Sequence, residues 1–188
     1  MATVIYPSPV FGPVKSRRLG RSLGVNLLPE DGKVCSFDCI YCECGFNDDF
    51  RPKAKLPTRE CVRTELEKRL SAMKVAGETL DALTFSGNGE PTSHPDFDRI
   101  ADDVKLLRDK YYPEAKVCLL TNATHLTKPR VFEAVKKLDK ACLKLDTVNP
   151  EYIRFVDRPN CPSDVNVVIE RMKACGGRCI IQTMFMKG

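Results

Sequence analysis

Short apolar runs alternate with longer amphipathic runs along most of this chain, and this alternation limits the folds that it can adopt. Five apolar runs predict β-strands at residues 25–28, 80–85, 116–120, 141–145 and 179–185. The runs between them have helical spacing, and the clearest helix extends from an N-cap at Thr58 to about Met73. Ser163 is the predicted N-cap of the last helix. Strands that alternate with helices predict an α/β fold with parallel strands and right-handed crossovers.

The composition is that of one globular domain. The 188 residues are enough for a proper core, 43% are hydrophobic and 29% are charged, and no linker or repeat divides the chain. No run of about 18 apolar residues predicts a membrane span, and the N-terminus lacks the order of a signal peptide. We therefore expect a cytoplasmic protein with no membrane partner. In that reducing compartment the ten cysteines are expected to be thiols or metal ligands, and disulfides are disfavoured.

Three cysteines lie close together at Cys35, Cys39 and Cys42. This C-x3-C-x2-C spacing puts three thiolates on one loop, whereas a [4Fe–4S] cluster usually has four. The iron that lacks a protein ligand can then bind a substrate or cofactor, while a closed site is structural. Three alternatives stay open: a structural zinc site, for which no second ligand pair is visible, a fourth thiolate from Cys44, and cysteines without a metal.

Polar or glycine-rich segments follow four successive predicted strands. They are the cysteine loop, residues 86–91, Thr121 with Asn122, and Asp146. In parallel sheets and barrels the carboxyl ends of the strands meet on one side, where ligands bind. The pattern therefore predicts one shared site at that end of the sheet.

Two motifs of this chain resemble those of the radical S-adenosylmethionine (SAM) superfamily. The cysteine spacing, with Tyr41 as an aromatic residue before the third cysteine, matches the cluster motif of the family, and Ser-Gly-Asn-Gly-Glu-Pro-Thr at residues 86–92 is similar to its GGE motif. The resemblance implies an α/β partial (βα) barrel of parallel strands, with about five βα units and the sixth missing. It also implies a single core domain over residues 1–188, with residues 1–22 as a basic N-terminal extension.

The resemblance also assigns roles to individual residues. The cluster ligands would be Cys35, Cys39 and Cys42. The SAM contacts would come from Tyr41, Gly87, Asn88, Gly89, Glu90, Asn122, Asp146 and Gln182. Tyr41 is expected to lie against the adenine, and the two glycines to let the backbone approach the ligand. Glu90 is expected to accept hydrogen bonds from the ammonium group of SAM. His94 follows this loop and is expected to help begin the next helix.

The implied activity is that of a radical SAM iron–sulfur oxidoreductase with a [4Fe–4S] cluster and SAM as cofactors. The reduced cluster would pass one electron to the sulfonium of SAM, and the resulting 5′-deoxyadenosyl radical would abstract hydrogen from a substrate. An external one-electron reductant of the flavodoxin or ferredoxin type is implied, because no flavin motif or second cluster motif is visible. The alternative is a non-catalytic Fe–S or zinc-binding module that keeps the fold.

Positive charge is concentrated near the N-terminus. The net charge is +5, and a basic cluster of Lys15, Arg17, Arg18 and Arg21 contains no acidic residue. Residues 11–25 resemble a subgroup of Fe–S oxidoreductases that is similar to the wyosine-base synthases acting on tRNA. RNA or another anionic substrate is therefore a candidate, as is a cofactor or peptide precursor, and a solvated face is the alternative. An incomplete barrel would leave a sheet edge open, so an oligomer or a partner that covers this edge is also expected.

Overall fold

A computed structural model describes residues 3–49 and 51–186, and its strands form one six-stranded sheet in the order β1-β2-β3-β4-β5-β6. The strands are β1 (Val10–Ser16), β2 (Gly20–Val25), β3 (Ala82–Phe85), β4 (Lys116–Thr121), β5 (Lys140–Lys144) and β6 (Cys179–Gln182). β1 pairs with β2 in antiparallel orientation, and β2 to β6 are parallel. Each crossover thus advances by one strand in one direction, and the predicted partial barrel with five parallel strands is confirmed.

Helices occupy the crossovers between the parallel strands. They are α1 (Arg59–Val75), α2 (Phe97–Tyr111), α3 (Pro129–Lys136), the single turn α4 (Pro150–Tyr152) and α5 (Val165–Ala174). A π-helical turn over Ile153–Asp157 continues α4 directly. Helix α1 packs against α2, and α2 packs against α3. None of the helices in the part of the chain that the structure describes is long and apolar enough to cross a membrane.

The start of α1 is confirmed. The side chain of Thr58 accepts a hydrogen bond from the backbone N–H of Cys61 at 3.2 Å. The apolar face of the helix is fully buried against the sheet and consists of Val62, Leu66, Leu70 and Met73. Burial of such side chains stabilises the fold by about 1.5–3 kcal/mol each, so this face fixes α1 on the sheet.

Two other predicted helix starts differ in detail. Ser163 is the wrong N-cap for α5, because Asp164 accepts the N–H of Asn166 at 2.9 Å. His94 contributes to the start of α2, as predicted: its Nδ1 accepts the N–H of Asp96 at 3.1 Å, while Nε2 donates to the carbonyl of Pro57 at 2.9 Å. Both ring nitrogens therefore have protein partners.

The two faces of the sheet have different side chains. Leu23, Leu83, Val117 and Leu143 point towards the helices and belong to the main apolar core. The alternate positions hold small or polar residues, namely Ser22, Thr84, Cys118 and Cys142, which are buried on the opposite face. Ser22 and Thr84 share a hydrogen bond of 2.7 Å there. The free cysteines of β4 and β5 thus fill the inner face of the curved sheet.

The first strands differ from the prediction. The strand expected at residues 25–28 is wrong in position, because β2 ends at Val25 and the buried Leu27 and Leu28 lie in the following loop. Residues 10–22 of the predicted N-terminal extension belong to the β1–β2 hairpin of the sheet. The outer ends of the predicted domain, at Met1, Ala2, Lys187 and Gly188, lie outside the described residues.

The basic cluster lies at the end of the sheet opposite to the cysteines. Lys15 pairs with Arg21 next to the turn that joins β1 to β2, and this turn is at the amino end of β2. Because β2 has six residues, the turn is roughly 17 Å from its carboxyl end. Arg21 forms an ion pair with Glu78, while Arg17 and Arg18 are exposed. The basic cluster is therefore remote from the cysteine loop.

The other edge of the sheet is β6. Ile180 and Ile181 are nearly half exposed on this strand, and Phe185 just beyond it is 89% exposed. An uncovered apolar edge of this kind favours association with a further segment or chain. The oligomer or partner expected from the sequence stays a prediction.

Candidate active site

The cysteine loop and the glycine-rich loop after β3 are joined through their backbones. The N–H of Val34 donates to the carbonyl of Asn88 at 2.9 Å, and the N–H of Glu90 donates to the carbonyl of Val34 at 3.0 Å. A side chain at Gly89, whose φ is +133°, would overlap the carbonyl oxygen of Val34. Glycine is thus required here because the loop passes directly against the residue that precedes Cys35.

Replacement of Gly89 by alanine is expected to lower the free energy of unfolding by about 2–5 kcal/mol. The strained φ costs about 1–2 kcal/mol, and displacement of the Val34 backbone adds about 1–3 kcal/mol. Urea unfolding followed by circular dichroism measures the loss. Gly77→Ala is the matched control, because Gly77 has a φ of +68° but open space around it. Equal losses in the two variants would contradict the close packing of the two loops.

Gly87 and Asn88 also contact protein atoms. A Cβ at Gly87, whose φ is +138°, would overlap the side chain of Asn26. The Asn88 side chain is fully buried, accepts the N–H of Tyr6 at 2.8 Å and donates to the carbonyls of Tyr6 and Pro29 at 2.9 and 2.7 Å. The side chain of Asn88 therefore holds the N-terminal segment against the glycine loop, and its predicted contact with SAM stays a prediction.

Hydrogen-bond donors point at the first sulfur of the motif. The Sγ of Cys35 accepts the backbone N–H of Phe37 at 3.4 Å and the side-chain amide of Asn122 at 3.6 Å. Asn122 also donates to Ser36 Oγ at 2.8 Å. Donors of this kind stabilise a metal-bound thiolate. Without a metal, burial raises the pKa of the Cys35 thiol to about 12, so iron binding has to displace its proton.

The other cysteines differ in their surroundings. Cys39 is buried, its Sγ lies 3.7 Å from Asp157 Oδ1, and burial raises its pKa to about 12. A hydrogen bond from the Cys44 thiol lowers the pKa of Cys42 to about 6. The Cys44 thiol is itself buried and lies 3.6 Å from the carbonyl of Gly87. Cys44 is therefore adjacent to the third predicted ligand, and the question of a fourth thiolate stays open.

A polar network inside the loop holds the cysteine motif in shape. The side chain of Asn47 binds Cys35 twice, accepting its N–H and donating to its carbonyl, both at 3.0 Å. Asp38 Oδ1 accepts the backbone N–H and the side-chain amide of Asn47, each at 2.8 Å. Lys33 donates to Asp38 at 3.0 Å and to the carbonyl of Gly45 at 2.7 Å. Burial alone would lower the pKa of Lys33. The negative charge of Cys42 and the hydrogen bond to Asp38 outweigh this effect, so the pKa of Lys33 is raised.

The segment after α4 holds the opposite side of the loop. The backbone N–H of Asp38 donates to the carbonyl of Asp157 at 3.0 Å, and that of Ile40 donates to the carbonyl of Val156 at 2.9 Å. Asn160 donates its side-chain amide to the carbonyl of Cys35 at 2.8 Å. Burial and the neighbouring Asp146 raise the pKa of the Asp157 carboxyl to about 7. Sequence reasoning missed this segment, because no recognisable motif marks it.

Glu90 is fully buried and faces the protein. Its Oε1 accepts hydrogen bonds from the backbone N–H of Thr92 at 3.0 Å and from the hydroxyl of Thr121 at 2.6 Å. Its Oε2 accepts the backbone N–H of Asn122 at 2.7 Å. Burial raises the pKa of this carboxyl, although the hydrogen bonds oppose the shift. Glu90 therefore joins the ends of β3 and β4, and its contact with the SAM ammonium stays a prediction.

A cleft of about 320 Å³ opens between the cysteine loop, the end of β5 and the start of α5. Phe37, Asn122, Lys144 and Asp146 are among its lining residues. Lys144 Nζ lies 3.0 Å from Asp146 Oδ2. The structure thus brings two predicted SAM residues, Asn122 and Asp146, to one cleft beside the cysteine loop.

Tyr41 contacts Asp146, one of the residues that line this cleft. Its hydroxyl hydrogen-bonds Asp146, and Lys144 Nζ lies 4.1 Å from the centroid of its ring. Gln182 ends β6, and its carbonyl accepts the N–H of Leu145 at 3.0 Å. Gln182 is not among the residues that line the cleft in the described part of the chain. The predicted contacts of Tyr41 with adenine and of Gln182 with SAM stay predictions.

The donor set fits an iron–sulfur cluster in its chemistry. Three thiols lie on one loop, and N–H groups already point at one of the sulfurs. Among the described residues, no three Cys, His, Asp or Glu side chains converge closely enough to hold a single metal ion. The thiolates of an iron–sulfur cube bind different irons, so a cube does not require such convergence.

The fold and the site define an α/β partial barrel whose cysteine loop lies at the carboxyl ends of its parallel strands. The family model of the Radical SAM superfamily matches residues 30–188 of this chain. This chain therefore belongs to the Radical SAM superfamily, whose members use a [4Fe–4S] cluster and SAM.

Curated proteins from other organisms are similar to nearly the whole of this chain. The chain is 32% identical over 182 residues to the UPF0026 protein MJ1312 of Methanocaldococcus jannaschii, which covers 94% of this chain and 53% of that protein. It is 31% identical over 186 residues to a UPF0026 protein of Helicobacter pylori, which covers 97% of this chain and 58% of that protein. The chain thus spans little more than half the length of these relatives.

Solved structures show the same fold. Native anSMEcpe with bound AdoMet superposes with a TM-score of 0.60 at 19% identity, over 86% of this chain and 43% of that one. TYW1 with a lysine–pyruvate adduct bound gives a TM-score of 0.56 at 13% identity, over 89% and 56% of the two chains. At these identities the likeness establishes the fold.

Proposed function

We propose that this chain is a radical SAM enzyme that holds a [4Fe–4S] cluster on Cys35, Cys39 and Cys42 and cleaves SAM reductively. The observation that carries the proposal is the backbone pairing of the cysteine loop with the Gly87–Glu90 loop at the strand ends. When bound, the cofactors would supply a 5′-deoxyadenosyl radical that abstracts hydrogen from the substrate. An external one-electron reductant of the flavodoxin or ferredoxin type would supply the electron.

The residues around the loop have distinct tasks in this proposal. Phe37 and Asn122 donate hydrogen bonds to the Cys35 thiolate and stabilise it. Asp146 lines the cleft, but its carboxylate is already held by Lys144, by Tyr41 and by the backbone N–H of Met184 at 2.9 Å. A hydrogen bond from a ribose hydroxyl to Asp146 would replace one of these contacts. The segment around Asp157 and Asn160 covers the loop and keeps water from part of it.

Anaerobic reconstitution with iron and sulfide tests this function. The reconstituted protein, reduced with dithionite in the presence of SAM, is expected to release 5′-deoxyadenosine, which liquid chromatography with mass spectrometry quantifies. A reaction without reductant is the control. Protein that holds a full complement of iron and sulfide yet forms no 5′-deoxyadenosine would favour the non-catalytic Fe–S module.

The substrate remains at the stage of prediction. The basic cluster at the β1–β2 turn is remote from the cysteines, so it supplies no support for an RNA substrate beside the cluster. A gel shift with tRNA that weakens steeply with salt would support RNA binding elsewhere on the surface. The cytoplasmic location also stays a prediction.

A further inference from the structure

Lys33 is a fully buried lysine inside the cysteine loop. Only 1% of its side chain is exposed, and its ammonium group donates to Asp38 Oδ1 and to the carbonyl of Gly45. Asp38 lies between the first two cysteines of the motif, and Gly45 lies beyond the third. The positive charge is therefore enclosed by the same backbone segment that carries all three thiols.

Part of the network that shapes the loop does not involve this charge. Asp38 Oδ1 is already bound by the backbone and the side chain of Asn47, and Asn47 in turn holds both backbone groups of Cys35. A buried ammonium loses its hydration, and a buried ion pair is often no more stabilising than an apolar pair of similar volume. A lysine at this position therefore points to a task other than stability.

The nearby predicted thiolate ligands indicate the role of the positive charge on Lys33. Lys33 binds Asp38, which lies between Cys35 and Cys39, and the carbonyl of Gly45, whose own N–H donates to the carbonyl of Cys42 at 3.1 Å. Its charge is therefore held between the backbone segments that carry the thiols. Each electron added to a thiolate-bound cluster makes it more negative, and a buried cation nearby favours that reduced form because the interior screens charge weakly. Charge and hydrogen bonding around the sulfurs are the means by which a protein sets a cluster potential.

We propose that Lys33 sets the reduction potential of the cluster by holding one positive charge inside the cysteine loop. Lys33 acts on the cluster electrostatically through the thiolate ligands. It does not need to contact the substrate. The inference rests on the proposed function, because it requires a cluster on Cys35, Cys39 and Cys42. Asp38, as the counter-ion, then acts in the opposite direction.

Two substitutions of opposite sign test the inference. Lys33→Met removes the cation while keeping an unbranched side chain. Asp38→Asn removes the anion but keeps an oxygen at Oδ1, the atom that accepts all three of the hydrogen bonds described above. Lys68→Met, on the exposed surface of α1, is the control.

The potential is measured on reconstituted protein by redox titration, with electron paramagnetic resonance of the reduced cluster as the readout. At the wild-type midpoint, the ratio of reduced to oxidised cluster is expected to fall at least tenfold in Lys33→Met, which is 59 mV for one electron. The same ratio is expected to rise in Asp38→Asn and to stay unchanged in Lys68→Met. Opposite shifts are the signature of charge, because a merely distorted loop would not reverse the sign.

Three results would overturn the inference. One is a Lys33→Met protein with full iron content and a ratio within threefold of the wild type. Another is an Asp38→Asn protein whose ratio falls or stays the same, and this variant decides the matter if Lys33→Met does not retain its cluster. The third is wild-type protein that binds neither iron nor sulfide, which refutes the proposed function itself and is identified by metal analysis alone.

Discussion

Replacement of Cys39 by alanine is expected to reduce the iron and sulfide content of the reconstituted protein to background. Two thiolates and a methyl group leave the cluster without one of its three ligands, and cluster assembly then fails. Formation of 5′-deoxyadenosine is expected to fall to background with it. Iron and sulfide analysis after anaerobic reconstitution, together with the absorbance of the brown protein, measures the loss.

Cys61→Ala is the matched control, because Cys61 is an exposed thiol in the first turn of α1. It is expected to retain full iron content. Cys44→Ala separates the two ligand sets: a retained cluster indicates three cysteines, and a lost cluster indicates that Cys44 is a fourth ligand. An intact cluster in Cys39→Ala, or tetrahedral zinc in the wild type, would contradict the proposed assignment.

Replacement of Glu90 by alanine is expected to destabilise the protein even when no cofactor is present. The substitution leaves the backbone N–H groups of Thr92 and Asn122 buried without an acceptor. Each such group costs about 1–3 kcal/mol, so a loss of about 3 kcal/mol in the free energy of unfolding is expected. Urea unfolding of the metal-free protein measures it.

This loss is expected to depend on pH. Burial raises the pKa of Glu90 in the folded protein. The stability that this carboxyl contributes is then fully present below its unfolded pKa and is lost as the pH rises through its folded pKa. The penalty of Glu90→Ala should therefore be larger in mildly acidic buffer than in alkaline buffer. Glu133→Ala, at an exposed position on α3, is the control. Unchanged stability in Glu90→Ala would show that the carboxyl serves the cofactor alone.

The sequence predicts the parallel core well because its pattern follows simple rules. The apolar face of α1 recurs at helical spacing after a good N-cap, and the observed helix begins at the expected residue. The strands of the middle of the sheet carry short apolar runs and lie within two residues of their predicted bounds. These elements are specified by local periodicity, which a single sequence contains.

The first strand is invisible to the same rules. β1 contains Gly12 and Pro13, and a proline normally argues against a strand. It is tolerated here because β1 is an edge strand and its register shifts between Phe11 and Val14. Only the pairing with β2 shows that these residues belong to the sheet.

The motif residues illustrate what a sequence leaves out. Spacing identifies the loops that meet, but it does not indicate which way a side chain points. Glu90 and Asn88 face the protein interior, where Thr121 and Tyr6 are their partners. Lys33 and Asn47, which lie beside the cysteines, carry no motif, because a lysine or an asparagine in a loop is usually solvated.

The cysteine loop receives contacts from residues far along the chain. Asn122 reaches Ser36 across a separation of 86 positions, and Asn160 reaches Cys35 across 125 positions. Such distant contacts form late, since the intervening chain has to be ordered first. During synthesis on a ribosome, the loop would emerge long before its covering segment exists. Delivery of iron and sulfide is therefore expected after the chain up to Asn160 has been translated, and a nascent chain stalled before Asn160 should be a poor acceptor.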